Sequence, residues 1–131
     1  REGSMSKKKI LVVDDEVRFT QMIKLNLEAG GKYDVKIENN AAQAVKVALE
    51  MKPDLILLDV IMPETEGPDV VCQLREHDIL KKIPVIFLTA TVTKEEVEAQ
   101  QGRIGGHAFL AKPGSVDDLI FCIEQHLANA R

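Results

Sequence analysis

At 131 residues, with 45% apolar and 29% charged side chains, the chain has the length and composition of one globular domain with a buried core. Its net charge of −4 argues against a broad nucleic-acid-binding face, and the lysine run 7–9 is too short to offset that charge. No apolar stretch reaches the roughly 18 residues of a membrane-spanning helix, and the N-terminus lacks the apolar core of a signal peptide. We therefore predict a cytoplasmic domain that binds neither membrane nor nucleic acid directly.

The domain is expected to begin close to the N-terminus. Residues 1–4 are predicted to be a cloning remnant ahead of a natural start at Met5, which assigns 5–131 to the domain. Residues 10–13 form a short, continuous aliphatic run, which is typical of a strand buried on both faces of a parallel sheet.

A first helix and an edge strand follow. The helix starts after Asp15 and is predicted to end at the Gly30-Gly31 pair. Four apolar residues are predicted to form its inward face: Phe19, Met22, Ile23 and Leu27. From Tyr33 to Glu38, apolar and polar residues alternate, which indicates a strand at the edge of a sheet.

The next three elements repeat the alternation. A second helix carries apolar residues at i, i+3, i+4, i+7 and i+8 from Ala41, and Asn39 or Asn40 can cap it. The aliphatic run 55–58 predicts a third strand, buried like the first. A loop begins at Met62, and a third short helix is marked by Val70, Val71 and Leu74.

The C-terminal part completes the pattern. Pro84 opens a fourth strand over 85–88, and a weakly supported fourth helix is placed at 94–101. Glycines precede a fifth strand over 109–111, and Ser115 caps a fifth helix. The apolar stripe of this last helix consists of Val116, Leu119, Ile120, Ile123 and Leu127.

Five β-α units with short connections predict an α/β fold. Such units form a parallel sheet with right-handed crossovers and helices on both faces. A closed barrel needs about 250 residues and eight units, so an open, doubly wound (βα)5 sheet is favoured. The common flavodoxin-like strand order is 2-1-3-4-5, which sets the first and third strands side by side at the topological switch point.

Polar side chains stand where these strands end. Asp14 and Asp15 follow the first strand, Asp59 closes the third, Thr89 the fourth, and Lys112 follows the fifth. The carboxyl ends of parallel strands share one edge, where open sheets bind ligands. Clustered carboxylates repel by about 4 kcal/mol per pair at about 4 Å, unless one is protonated or a divalent cation binds. Carboxylate oxygens are ligands that Mg²⁺ prefers, and the amine of Lys112 and the hydroxyl of Thr89 can donate hydrogen bonds to phosphoryl oxygens. Together these side chains predict a site for Mg²⁺ and a phosphoryl group.

The cysteines and histidines receive plainer interpretations. Cys72 and Cys122 lie within apolar helical patterns and are predicted to be buried free thiols in a reducing compartment. The three histidines are interpreted as surface residues with no acidic or thiol partner nearby in the sequence: His77, His107 and His126.

The motifs at the strand ends resemble those of one family, the receiver domain of bacterial two-component response regulators, in shape the single-domain chemotaxis type. The resemblance runs from Lys8 to Leu127. It is carried by LVVDD at 11–15, LILLDVIMP at 55–63 with Gly67, Thr89-Ala90, and FLAKP at 109–113. Any one of these motifs is weak, but the ordered set is highly specific.

The resemblance implies a role for each matching residue. Asp59 would be the phosphoacceptor, taking a phosphoryl group from a phosphohistidine. Asp15, Asp59 and the backbone carbonyl of Ile61 would be direct Mg²⁺ ligands, and Asp14 would act through water. Lys112 would neutralise charge on the transferring phosphoryl group.

A conformational switch is implied as well. Thr89 would bond the phosphoryl oxygen and Phe109 would turn inward behind it. The face made by the fourth helix, fifth strand and fifth helix would then change for a downstream target or effector domain. The donor would be a sensor histidine kinase or phosphotransfer protein, and the domain would catalyse only its own phosphorylation and dephosphorylation. The sequence leaves open the output and whether a homodimer forms on phosphorylation.

Three alternative functions differ in the residues that they require. A phosphatase of the haloacid-dehalogenase type needs an acid two residues after its nucleophile, where this chain has Ile61. A nucleotide or flavin carrier requires a phosphate-binding loop rich in glycine, serine or threonine after the first strand, where this chain has the acidic residues 14–16. A degenerate receiver that only docks partners is the remaining alternative. Glu64, Glu66 and Gly114 depart from the usual family pattern without removing a catalytic group.

Overall fold

The structure is a computed structural model, which describes residues 7–59, 61–62, 65–89, 103–104, 107–111 and 116–129. Among the described residues the main sheet has five parallel strands: β1 Lys8–Val13, β2 Tyr33–Glu38, β3 Leu55–Asp59, β4 Val85–Thr89 and β5 His107–Ala111. A sixth strand of two residues pairs with β5 at the edge of this sheet. The helices are α1 Val17–Ala29, α2 Ala44–Met51, α3 Gly67–Arg75 and a C-terminal helix Val116–Asn129. The fourth helix predicted at 94–101 and the domain start predicted at Met5 both lie outside the described residues.

The sheet confirms the predicted order. Its parallel strands run β2-β1-β3-β4-β5, with β1 paired to β2 on one side and β3 on the other. Ile10 lies opposite Val35 in one pairing and opposite Leu55 in the other. Because β1 and β3 are neighbours, their carboxyl ends meet at the switch point of the sheet.

Helices cover both faces of the sheet and enclose two cores. On one face, Ile23 of α1 and Ile123 of the C-terminal helix pack with Ile10 and Leu57. On the other face, α2 and α3 pack against Leu11, Val13, Ile56 and Leu58. Alternate residues of β1 and β3 therefore enter different cores, which explains why both strands are continuously aliphatic. None of the helices in the described part of the chain has the length and hydropathy to span a bilayer.

Three strands of two residues each were not predicted. Ile61–Met62 pairs with Thr65–Glu66 just after β3, and Arg103–Ile104 pairs antiparallel with β5. Each of these strands is two residues long, which is too short to show a period-2 pattern in the sequence.

Three side-chain predictions were wrong. Met22 is 40% exposed, because Ile23 and Leu27 define the inward face of α1. Cys72 is exposed, because Val70 and Val71 take the inward positions of α3, although both cysteines are free as predicted.

The third error concerns His126, which is half-buried and has a thiol one helical turn away. Its Nδ1 lies 2.8 Å from the carbonyl oxygen of Cys122 and 3.7 Å from the Cys122 Sγ. Residues four apart face each other on a helix, and this spacing was readable in the sequence.

The exposed edge of β2 is covered by two side chains of α1. The Val35 N–H donates to Glu28 Oε2 at 2.9 Å, and the Val35 carbonyl accepts from Lys24 Nζ at 2.6 Å. Lys24 and Glu28 also form an ion pair at 3.0 Å. At Val35, these bonds occupy edge groups that could otherwise pair with another chain. The Val35 hydrogen bond, followed by Lys24, lowers the pKa of Glu28 below its usual value.

The lowered pKa of Glu28 predicts a pH-dependent contribution to stability. The contribution is present above the ordinary carboxyl pKa near 4.5 and is lost as the pH falls through the lower folded-state value. Glu28→Gln is expected to lower the free energy of unfolding by about 1 kcal/mol at neutral pH and by much less near pH 3. Urea unfolding at the two pH values measures this, with the exposed Glu50→Gln as control. An equal loss at both pH values would contradict the ionic role.

Candidate functional site

The three aspartates predicted to gather at the sheet edge do so. Val13 pairs with Leu58, so Asp14 and Asp59 each come next along their own strands at the switch point. One carboxylate oxygen from each of Asp14, Asp15 and Asp59 lies within 4.8 Å of the others. Asp14 and Asp59 are only 0% and 5% exposed, whereas Asp15 is open to solvent. The cluster is thus a buried pair of carboxylates with a third at its mouth.

Asp14 is fixed by hydrogen bonds on three sides. Its backbone N–H donates to the Glu38 carbonyl at 3.2 Å, which continues the β1–β2 pairing by one bond. Its carboxylate Oδ1 accepts from the Glu16 N–H at 2.9 Å. Its carbonyl accepts from Asn39 Nδ2 at 2.7 Å. A buried carboxylate held in this way has little freedom to turn away from its neighbours.

Asn39 is one of the two residues that the sequence offers as a cap for the second helix, but in the structure it makes different hydrogen bonds. Asn40 caps the short 3-10 helix Ala41–Gln43 that leads into α2, its Oδ1 accepting from the Ala42 N–H at 3.0 Å. Asn39 instead donates to the Asp14 carbonyl and, at 3.1 Å, to the Thr20 hydroxyl. The available signal was its position directly after β2, at the same sheet edge as Asp14 after β1.

The other predicted site residues are located only in part. Thr89 is the last residue of β4, one position beyond Leu88, which pairs with Asp59. Its backbone therefore reaches the same edge of the sheet. Phe109 lies within β5, and Ile61 begins the short strand after β3. Lys112 lies outside the described residues, so its place and the roles of these residues stay predictions.

The donor set of the cluster fits a hard divalent cation. Three carboxylates within 4.8 Å repel one another, and burial of two of them weakens the screening by water. Oxygen ligands of this kind select Mg²⁺ or Ca²⁺ over softer metals. Asp14, Asp15 and Asp59 are thus the described residues that could hold such an ion.

Comparison with known proteins agrees with this geometry. The family model described as "Response regulator receiver domain" matches residues 10–124. The polar-differentiation response regulator DivK of Brucella anthropi is 36% identical over 124 residues, covering 94% of this chain and 98% of DivK. The phosphate regulon transcriptional regulatory protein PhoB of Pseudomonas aeruginosa is 37% identical over 113 residues, covering 86% of this chain.

Relatives differ in length, and the fold recurs in solved structures. The chain spans about half the length of two longer relatives. It covers 48% of PhoB and 43% of the alkaline phosphatase synthesis transcriptional regulatory protein PhoP of Bacillus subtilis. A response regulator structure from Chloroflexus aurantiacus superposes with a TM-score of 0.80 at 27% identity, covering 95% of this chain and all of the other. The chemotaxis protein CheY4 of Vibrio cholerae gives 0.78 at 27% identity, covering 92% and 98%.

Proposed function

The chain belongs to the response regulator receiver domain family, and from that premise we propose that it is a phosphoacceptor switch of a two-component phosphorelay. Receiver domains are signalling modules rather than classical enzymes. The observation that carries the proposal is the cluster of Asp14, Asp15 and Asp59, with carboxylate oxygens within 4.8 Å of one another at the switch point of the sheet.

Asp59 is the proposed nucleophile. A carboxylate oxygen of Asp59 attacks the phosphorus of a phosphohistidine, the new O–P bond forms, and the P–N bond to the imidazole breaks. Asp15, Asp59 and the carbonyl of Ile61 would hold Mg²⁺, with Asp14 acting through water. When bound, the ion supplies positive charge beside the transferring phosphoryl oxygens. Lys112 would donate to the same oxygens from the end of β5.

The proposed readout uses the other half of the sheet edge. The Thr89 hydroxyl would bond the phosphoryl group, and Phe109 would turn inward behind it. The surface formed by the predicted fourth helix, β5 and the C-terminal helix would then bind a downstream target or effector domain. The proposed donor is a sensor histidine kinase or a phosphotransfer protein, acting in the cytoplasm.

Intact-mass measurement tests the proposal without a known partner. The protein is incubated with acetyl phosphate and Mg²⁺, with a matched sample containing excess chelator. The expected result is a gain of one phosphoryl group in the first sample only, because the charge of the transferring group needs neutralising. A protein that binds Mg²⁺ but gains no phosphoryl group would instead support the alternative of a degenerate receiver that only docks partners.

Replacing Lys112 separates metal binding from switching. We expect Lys112→Ala to bind Mg²⁺ as tightly as the unaltered protein, because the proposed ligands are oxygens of other residues. We expect it to lack the shifts in the amide NMR signals of β5 that acetyl phosphate causes in the unaltered protein. The exposed Lys46→Ala serves as control. Unaltered phosphorylation shifts in Lys112→Ala would remove the role given to Lys112.

A further inference from the structure

We propose that Asn39 is a positioning residue for the acidic cluster, holding the backbone at Asp14 and thereby setting the affinity of the cluster for a divalent cation. This inference rests on the proposed function and extends it to a residue outside the ligand set. The inference is supported by a hydrogen-bonded network that joins the end of β2, the first turn of α1 and the end of β1.

The backbone pairing of β1 with β2 ends at the Asp14 N–H. The register of β1 ends at Val13, which pairs with Glu38 on one side and Leu58 on the other. One more bond, from the Asp14 N–H to the Glu38 carbonyl, extends the β1–β2 pairing. The Asp14 carbonyl lies beyond this last bond, and Asn39 supplies its donor at 2.7 Å. Asn39 thus continues the sheet by one side-chain hydrogen bond where its strands end.

The Asn39 side chain is itself held by two hydrogen bonds. Its amide nitrogen has two hydrogens, and its two acceptors are the Asp14 carbonyl and, at 3.1 Å, the Thr20 Oγ1. Exchanging the amide oxygen and nitrogen would set an oxygen against the Asp14 carbonyl, so only one orientation fits. Thr20 is fully buried and donates its own hydrogen to the Val17 carbonyl at 2.9 Å.

The position of the Asp14 carboxylate in the cluster depends on the Asp14 backbone. The Asp14 carboxylate accepts from the Glu16 N–H at 2.9 Å, two residues along the same chain. The Asp14 backbone therefore determines where this carboxylate stands relative to Asp15 and Asp59. Asp14 would hold Mg²⁺ through a water, and a displaced carboxylate would no longer orient that water, which lowers the affinity for the ion. Groups that orient metal-binding residues typically contribute 10- to 100-fold in affinity or activity.

Mg²⁺ titration calorimetry on Asn39→Ala tests the inference directly. We expect the dissociation constant for Mg²⁺ to rise about tenfold. At saturating Mg²⁺ the rate of labelling by acetyl phosphate is expected to return close to that of the unaltered protein, because no catalytic group has been removed. The matched control is Asn40→Ala, the same change one residue away. It removes the cap bond to Ala42, lowering the melting temperature, but leaves Mg²⁺ affinity unchanged.

Thr20 provides an independent pair of variants. Thr20→Ser keeps the hydroxyl and is expected to bind Mg²⁺ normally, whereas Thr20→Val removes it and is expected to weaken binding about threefold. Combined with Asn39→Ala, the Thr20→Val change should add nothing further, because both act through one network. Should Asn39→Ala fail to fold, the difference in Mg²⁺ affinity between Thr20→Ser and Thr20→Val tests the inference instead.

Three outcomes distinguish failure of this inference from failure of the proposed function. A folded Asn39→Ala protein that binds Mg²⁺ as the unaltered protein does would overturn the positioning role and leave phosphorylation of Asp59 intact. Equal Mg²⁺ binding by Thr20→Ser and Thr20→Val would also overturn that role. Failure of the unaltered protein to bind Mg²⁺ and to accept a phosphoryl group would overturn both proposals.

Discussion

Asp59→Asn is expected to abolish phosphorylation while raising the stability of the metal-free protein. An amide is not a nucleophile for phosphoryl transfer, so labelling by acetyl phosphate should disappear. The same change removes one of three negative charges held within 4.8 Å at a side chain only 5% exposed. Relief of that repulsion should raise the free energy of unfolding without Mg²⁺ by on the order of 1 kcal/mol. Intact mass and urea unfolding measure the two effects.

The matched control for this substitution is Asp34→Asn. Asp34 is exposed on β2, so its change has the same chemistry outside the cluster. Both labelling and stability should stay as in the unaltered protein. Normal labelling of Asp59→Asn would show that another residue is the nucleophile. A lower free energy of unfolding for Asp59→Asn would show that the carboxylates of the cluster do not repel one another in the metal-free protein.

Asp14→Asn is expected to change metal binding and stability in opposite directions. The asparagine oxygen can still accept from the Glu16 N–H, which lies 2.9 Å from Oδ1 in the structure, so charge is lost while shape is kept. Mg²⁺ affinity should fall roughly 10- to 100-fold. The metal-free protein should become more stable by on the order of 1 kcal/mol, because Asp14 is fully buried beside two other carboxylates.

Thermal unfolding with and without Mg²⁺ separates the two effects of Asp14→Asn. A ligand that binds only the folded state raises the melting temperature by mass action. Mg²⁺ should therefore stabilise the unaltered protein at concentrations that leave Asp14→Asn nearly unaffected. Asp14→Ala offers a comparison, since it loses the bond to Glu16 and buried volume as well as charge. Equal stabilisation of Asp14→Asn by Mg²⁺ would exclude Asp14 from the metal site.

The parts of the fold that were predictable are those dominated by local pattern. The aliphatic run 10–13 predicts a strand buried on both faces and forms the buried part of the observed β1, and the predicted strand Tyr33–Glu38 matches the observed β2. Right-handed crossovers narrow the possible topologies, and 2-1-3-4-5 is the common order for an open sheet of five such units. That order brings Asp14 and Asp59 to neighbouring strand ends, so the aspartate cluster follows from topology without any knowledge of side-chain positions.

The parts that were not predictable depend on geometry between distant segments. The bonds of Asn39 to Asp14 and Thr20 join residues 25 and 19 positions apart in three different elements. Sequence spacing alone cannot rank this against the helix cap that Asn39 could equally have formed. The exposure of Met22 has a similar origin, because the face of α1 is fixed by contact with the sheet rather than by the local pattern.

Mapping the phosphorylated residue is the most direct test of the central claim that Asp59 accepts the phosphoryl group. After incubation with acetyl phosphate and Mg²⁺, borohydride reduces an aspartyl phosphate to homoserine, which peptide mass spectrometry can locate. The proposed function predicts homoserine at position 59 and at no other position. Homoserine at position 14 or 15, or at none, would contradict it.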